Sequence, residues 1–208
     1  MDIQYFGANC VVLTVKNTRV VIDDNLADLG GKSITKAGDI ALFTAAHGEA
    51  GKDVKLSIDM PGEYEVSDIS ITGIPARSHL DEGGLATTMY KITSGDVTVF
   101  VTGHIYPNLT DKQLENIGLV DAMLVPIGGS GFTLDPIGAL KVIKAVEPKV
   151  VIPTHYADKA LNYVVPQVEL SAALHDLAME PLETVTGKFK LKPSELSDVT
   201  HLVALEKS

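Results

Sequence analysis

The stretch Ile40-Ala41-Leu42-Phe43-Thr44-Ala45-Ala46-His47-Gly48-Glu49-Ala50-Gly51 decides how the chain is read. Its first four residues form a short apolar run with no amphipathic period. The rest is a turn of small residues that carries one imidazole, His47, and one carboxylate, Glu49. That is the pattern of a strand ending in a loop with metal-capable groups at its tip. On either side, apolar or β-branched runs at residues 3–6, 10–15, 19–22, 54–58, 69–74, 87–92 and 97–101 predict further short strands. Lys16-Asn17-Thr18 and Thr93-Ser94-Gly95-Asp96 are hairpin turns, so their flanking strands pair antiparallel.

After residue 105 the pattern changes to strand alternating with helix. Thr110-Asp111-Lys112-Gln113 has the form of a capping box, which opens a helix running to about Gly118. Asp135-Pro136 opens a second, with apolar residues at Ile137, Leu140, Val142, Ile143 and Val146. Pro166 is expected to start a third. Strands are predicted at 122–125 and 149–152, and residues 188–191 and 201–205 are read as a closing pair. No linker separates the halves, so the expectation is one domain over residues 1–208, with two sheets sandwiched by helices.

Composition narrows the function. The chain holds 27 acidic and 17 basic residues, a formal charge of −10, and its cations are scattered. Such a surface repels phosphate backbones and anionic lipid, which argues against nucleic-acid and membrane partners. With Cys10 as the one cysteine, no disulfide forms within the chain and a metal site must be built from His and carboxylates. No run approaches the length that spans a bilayer, and Met1-Asp2-Ile3-Gln4 lacks the basic start of a signal peptide, so a cytoplasmic location is expected.

Four of the six histidines, His47, His79, His104 and His155, lie just beyond predicted strand ends. Strand ends on one side of layered α/β sheets converge on a shared crevice. Four such loops would bring four imidazoles together at a site for zinc or another divalent ion. The other reading is that each histidine hydrogen-bonds its own loop. Asp23 and Asp24 are either acceptors that fix a histidine tautomer or strand-end turn formers, and Tyr106 and Tyr156 either orient a substrate or pack. Gly128-Gly129-Ser130-Gly131 is open to two readings, an anion-binding nest or a plain tight turn.

Several stretches together carry a family resemblance. They are Ile3-Gln4-Tyr5-Phe6-Gly7, Arg19-Val20-Val21-Ile22-Asp23, Pro61-Gly62-Glu63-Tyr64-Glu65, Pro126-Ile127-Gly128-Gly129 and Pro148 to Tyr156. On these the chain resembles the metallo-β-lactamase fold superfamily, within it the small metal-dependent hydrolases related to L-ascorbate-6-phosphate lactonase. The resemblance implies a four-layer αββα sandwich and a metal-dependent hydrolase. It implies metal ligands at His47, Glu49, His79, His104 and His155, with Glu49 and Asp23 in catalytic roles.

The match departs from the family pattern at the ligands. The family's His-x-His-x-Asp-His motif reads here as Ala45, His47, Glu49 and Ala50. His104 stands where a bridging Asp is usual, and Ala8 where a Gly-His pair is usual. A neutral imidazole removes the bridging charge, and two lost histidines remove one donor from each metal position, so a two-metal centre is not expected. The expectation is a single-metal hydrolase acting on a small ester, lactone or phosphate-bearing substrate. The alternative is a metal-free relative of the same fold, kept as a binding or interaction protein.

Overall fold

The structure, a computed structural model, describes residues 1–45, 50–51, 53–80 and 84–208. The sequence-predicted site residues His47 and Glu49 therefore lie outside the described residues, as do Asp81 and Glu82. In chain order the first sheet takes up β1 (Asp2–Gly7), β2 (Cys10–Val15), β3 (Thr18–Ile22), β4 (Ile40–Leu42) and β5 (Leu56–Ile58). There follow β6 (Gly62–Val66), β7 (Ile69–Ala76), β8 (Thr87–Ser94), β9 (Val97–Val101), α1 (Asp111–Ile117), β10 (Ala122–Pro126), α2 (Pro136–Val146) and β11 (Val150–Thr154). The chain closes with α3 (Leu170–Leu177), β12 (Pro181–Val185), β13 (Phe189–Lys190) and β14 (His201–Leu205).

Two sheets result. One has six strands in the order β13-β1-β2-β3-β4-β5, the other eight in the order β12-β14-β11-β10-β9-β8-β7-β6. They face each other across a core that includes Ile3, Leu13, Ile22 and Leu42 from the first sheet and Ile71, Ile92, Leu124 and Ile152 from the second. A second core lies between the eight-stranded sheet and the helices, where Val142, Ile143, Ala173 and Leu177 meet Met123, Val125 and Val151. Strands β10 and β11 are buried at every position, as central parallel strands covered on both faces must be. The six-stranded sheet is covered on its outer face by Leu26, Leu29, Ile34 and Leu161. These come from irregular segments, because residues 24–39 carry turn formers and no helical period.

The topology aims several strand ends at one place. Strand β2 is antiparallel to both β1 and β3, so β1 and β3 run the same way, and β4 joins β3 in parallel. Likewise β8 is antiparallel to β7 and β9, and β10 and β11 continue parallel to β9. The carboxyl ends of β3, β4, β9, β10 and β11, with those of β1 and β7, therefore open on one rim, where α/β sheets collect their ligands.

The helix starts are the ones the caps predict, with one exception. Thr110 and Gln113 form the capping box of α1, and Gly118 ends it with φ 61 and an amide bonded to Leu114 O. Asp135 caps α2 by accepting from Gly138 N. The third helix begins at Leu170 rather than at Pro166. Residues 166–168 stay extended because Val168 is held on both sides, its amide donating to Gly128 O and its carbonyl accepting from Ala157 N.

The closing strands do not pair with each other. Strand β13 adds to the edge of the six-stranded sheet beside β1, while β14 inserts between β11 and β12 of the other sheet. Strands β6 and β12, which the sequence did not predict, are the two edges of the eight-stranded sheet. Among the described residues no helix is long and apolar enough to cross a membrane.

One side chain ties the sheets together next to the rim. Tyr90 on β8 is fully buried and its hydroxyl donates to Phe43 O at 2.9 Å, just beyond β4. Tyr90→Phe leaves that buried carbonyl without its donor and is expected to cost about 1–2 kcal/mol, read as a lower urea midpoint with an unchanged slope.

Candidate active site

Each rim residue is placed by a sharp exit from its strand. Strand β1 ends in Gly7 (φ 109) and Ala8 (φ 48), β3 in Asp23 (φ 47), β9 in Gly103 (φ 64) and β11 in His155 (φ 50). Left-handed backbone at Ala, Asp and His is costly, and is held only where the surroundings determine it. Here the Asp23 amide donates to Leu42 O and the His155 amide to Ala8 O at 2.7 Å. Gly103 needs its missing side chain, since a Cβ there would stand 2.5 Å from Cβ of Thr44. The exits of β4 and β9 can touch only because of it.

The turn after β1 supplies a residue the sequence reading passed over. Asn9 is buried, and its carboxamide reaches three other strand ends. Its Oδ1 accepts from Thr154 Oγ1 at 2.7 Å. Its Nδ2 donates to Asp23 Oδ2 at 3.4 Å and lies 3.3 Å from His104 Nε2. With the amide so oriented, His104 Nε2 is the acceptor and the ring proton sits on Nδ1.

Asp23 stands behind the rim rather than on the cavity wall. Its Oδ1 accepts from Thr44 N and its Oδ2 from Thr44 Oγ1, both at 2.7 Å. Asp24 is a turn former, whose Oδ2 gathers the amides of Ile34 and Thr35 and the hydroxyls of Ser33 and Thr35.

Three of the predicted histidines meet. The rings of His104 and His155 stand edge to face with centroids 4.6 Å apart. His79 joins them through the backbone, its amide donating to His104 O at 2.8 Å. His155 Nδ1 lies 3.1 Å from Gln167 Oε1, which favours the tautomer with the proton on Nδ1 and leaves Nε2 as a lone-pair donor. Gln167 is the second residue missed by sequence reading, and Gly128 makes room for it. A Cβ at Gly128 would collide with Gln167 Oε1 and with the carbonyl of His155. The Gly128–Gly131 loop is thus a turn built for close approach, and the Gly129 amide donates to Leu134 O.

The tyrosines go to packing. Tyr156 stacks on Tyr5 and donates to Leu205 O, and Tyr106 carries the Arg77 guanidinium over its ring.

These groups open on a cavity of about 540 Å³. His79, His104, His155 and Gln167 line it, with Ala45, Leu80, Phe132 and Val164 among the apolar wall residues. Burial holds the His104 imidazole neutral, its pKa lowered to about 3 with further repulsion from His155 and His79. His155 is also lowered by burial, which its bond to Gln167 partly opposes.

The donor chemistry suits a divalent ion, for the buried Nδ1 atoms of His79 and His104 have no hydrogen-bond partner among the described residues and imidazole is a common ligand. The donor count falls short. Among the described residues no three His, Cys, Asp or Glu side chains are grouped to hold a metal, and Ala8 and Ala45 offer no donors.

Comparison with known proteins agrees with this architecture. Residues 2–155 match the family of β-lactamase superfamily domains, and the chain belongs to that family. It is 27 % identical over 192 residues to a metal-dependent hydrolase of Salinibacter ruber, covering 75 % of this chain and 84 % of that protein. A metal-dependent hydrolase of Pyrococcus horikoshii is 30 % identical over 141 residues, 64 % of this chain and 62 % of its own. Among solved structures, a candidate zinc-dependent hydrolase of the metallo-β-lactamase superfamily from Thermotoga maritima superposes with a TM-score of 0.75. It is 25 % identical, with 99 % of this chain and 98 % of that one covered. A metallohydrolase of Ignicoccus hospitalis shares the fold, with a TM-score of 0.63 and 18 % identity over 92 % of this chain and 99 % of its own.

Two buried groups at the rim titrate with opposite effects on stability. The folded pKa of His104 lies below the unfolded imidazole value of about 6.5, so the unfolded chain binds more protons and stability falls as pH drops from about 6.5 toward about 3. Burial raises Asp23 to about 6 against the hydrogen bonds from Thr44 and Asn9. There the folded chain binds more protons, so this term gains stability as pH falls through about 6. In metal-free protein, His104→Gln is expected to recover about 2 kcal/mol of the loss at about pH 4.5 relative to about pH 7.5. Asp23→Asn is expected to deepen the loss, and urea midpoints at the two pH values check both. Gly128→Ala is expected to cost about 1–3 kcal/mol by overpacking against Gln167 and His155 O, read in the same unfolding assay.

Proposed function

We propose that the chain is a metal-dependent hydrolase that holds one divalent ion, zinc or a similar metal, at the strand-end histidines. The observation that carries this reading is the pair of buried imidazole nitrogens, His79 Nδ1 and His104 Nδ1, without partners among the described residues, beside His155 with its Nδ1 bonded to Gln167. An unpartnered buried polar atom costs about 1–3 kcal/mol, and an ion at this rim removes that cost. It would draw its donors from His79, His104 and His155, which are not grouped as a complete three-ligand set, so a further donor such as His47 or Glu49, outside the described residues, would be needed. Bound there, a divalent ion polarises a carbonyl or phosphoryl oxygen and lowers the pKa of its water toward about 7.

The chain's own residues do the rest. For His104 to ligate through Nδ1, its proton would have to move to Nε2 and the Asn9 amide turn end for end, exchanging its present bonds with Thr154 and Asp23. Asp23 and Thr44 hold Asn9's neighbours in place. Gln167 orients His155. Once a substrate covers it, the apolar wall would keep bulk water from the reacting bond, which strengthens every charge interaction inside. Glu49, if it is not a ligand, is the carboxylate placed by sequence to take a proton from the attacking water. The substrate is a small ester, lactone or phosphate-bearing molecule.

A second reading, a binding protein without catalysis, is favoured by one observation: Ala45 lines the cavity at a position where the family carries a ligand.

Metal analysis of untagged protein, paired with hydrolysis assays before and after chelation, separates the two. The hydrolase reading expects about one ion per chain, lost in His104→Ala and His155→Ala, with activity down at least a hundredfold. Less than a tenth of an ion per chain after reconstitution, with no hydrolysis across an ester, lactone and phosphate panel, leaves the binding reading standing.

A further inference from the structure

The cavity selects by charge as well as by shape. Among the described residues that line it there is no Lys, Arg, Asp or Glu. Leu80, Phe132 and Val164 stand at its wall yet are 60 %, 44 % and 86 % exposed, so they offer apolar surface that a bound molecule would cover.

The two features that would otherwise receive an anion are occupied. Arg77, next to the lining in sequence, lies over the Tyr106 ring with its guanidinium carbon 3.9 Å from the centroid. The glycine turn is closed as well. The Gly129 amide donates to Leu134 O, Ser130 Oγ donates to Pro166 O, and Gly128 is packed against Gln167 and His155 O. Without a bound ion, a phosphate or carboxylate entering here would lose its hydration with no cationic side chain among the described lining residues to replace it. The overall charge of −10 adds long-range repulsion.

We infer that the cavity takes an uncharged carboxylic ester with an apolar acyl chain, the chain lying against Leu80, Phe132 and Val164 and the ester facing the histidines, and that its own side chains disfavour phosphate esters. This rests on the hydrolase reading above for the reaction, though not for the binding. In that reaction the oxygen of water bonds to the acyl carbon and the bond from that carbon to the ester oxygen breaks. One water proton ends on the leaving alcohol, and the other is released with the carboxylate.

Binding and cleavage are tested separately. The probes are the methyl ketones 2-pentanone, 2-heptanone and 2-nonanone, uncleavable ester analogues, against phenyl phosphate, followed by methyl-group NMR of the full chain. The inference expects shifts at Leu80, Val164 and Val165, and a Kd that tightens about threefold per added methylene. In metal-free protein it expects no shift with phenyl phosphate at concentrations that saturate with 2-nonanone. Val164→Lys, a change at an exposed position that the fold tolerates, should weaken 2-nonanone at least tenfold and bring in phenyl phosphate. Cleavage of p-nitrophenyl butyrate and hexanoate is then compared with that of p-nitrophenyl phosphate in metal-loaded protein. Ketone binding without cleavage of any ester supports the ligand class and overturns the hydrolase reading. Phosphate binding or cleavage that exceeds the neutral series overturns the ligand class and leaves the hydrolase reading intact. No binding of either series also overturns the ligand class.

Discussion

The carboxamide of Asn9 is the contact on which the rim depends. It joins the turn after β1 to Asp23 at the end of β3, to His104 beyond β9 and to Thr154 at the end of β11. The first two lie in one sheet and the last two in the other, so this side chain, together with the Tyr90 hydroxyl on Phe43 O and the His155 amide on Ala8 O, sets the distance between the sheets where they open. A buried amide with all its polar atoms engaged is specific in a way apolar packing is not, because a small displacement leaves it unsatisfied. The core above it would tolerate some rearrangement of similar volume. The rim would not.

Around that amide the backbone is held in costly shapes. Ala8, Asp23 and His155 all have φ near 50°, at about 1–3 kcal/mol each. The return is that His155 reaches the cavity wall while Ala8 and Asp23 bond behind it, the Ala8 carbonyl accepting from the His155 amide and the Asp23 carboxylate from Thr44. The same reasoning explains Gly103 and Gly128. One lets two strand exits touch, the other lets Gln167 reach His155.

Much of this was legible in the sequence, and the part that was not has a physical cause. The buried strands and the caps at Thr110 and Asp135 are local patterns, with apolar alternation or a side chain that meets an amide three residues away. His79, His104 and His155 could be brought together on paper because each follows a predicted strand and the strand ends share a side. Edge strands β6 and β12 were passed over because Glu63, Glu65 and Glu183 face solvent and break the apolar pattern that marks a strand. Asn9 and Gln167 gave no signal at all. An uncharged amide in a turn has no period, and Asn9 meets Thr154 across 145 positions of sequence. The start of α3 was set too early for a similar reason, since the extended pairing at Val168 is a tertiary bond.

The placement of the last strands has a consequence for how the molecule is made. Strand β14 is an interior member of the eight-stranded sheet, between β11 and β12, and β13 supplies the edge beside β1. During synthesis most of both sheets emerges early, yet neither can finish until residues 189–205 have left the ribosome. Until then one edge of β11 and one edge of β1 present unpaired backbone, open to association with other chains. Residues 189–205 thus work as a latch on a nearly complete sandwich.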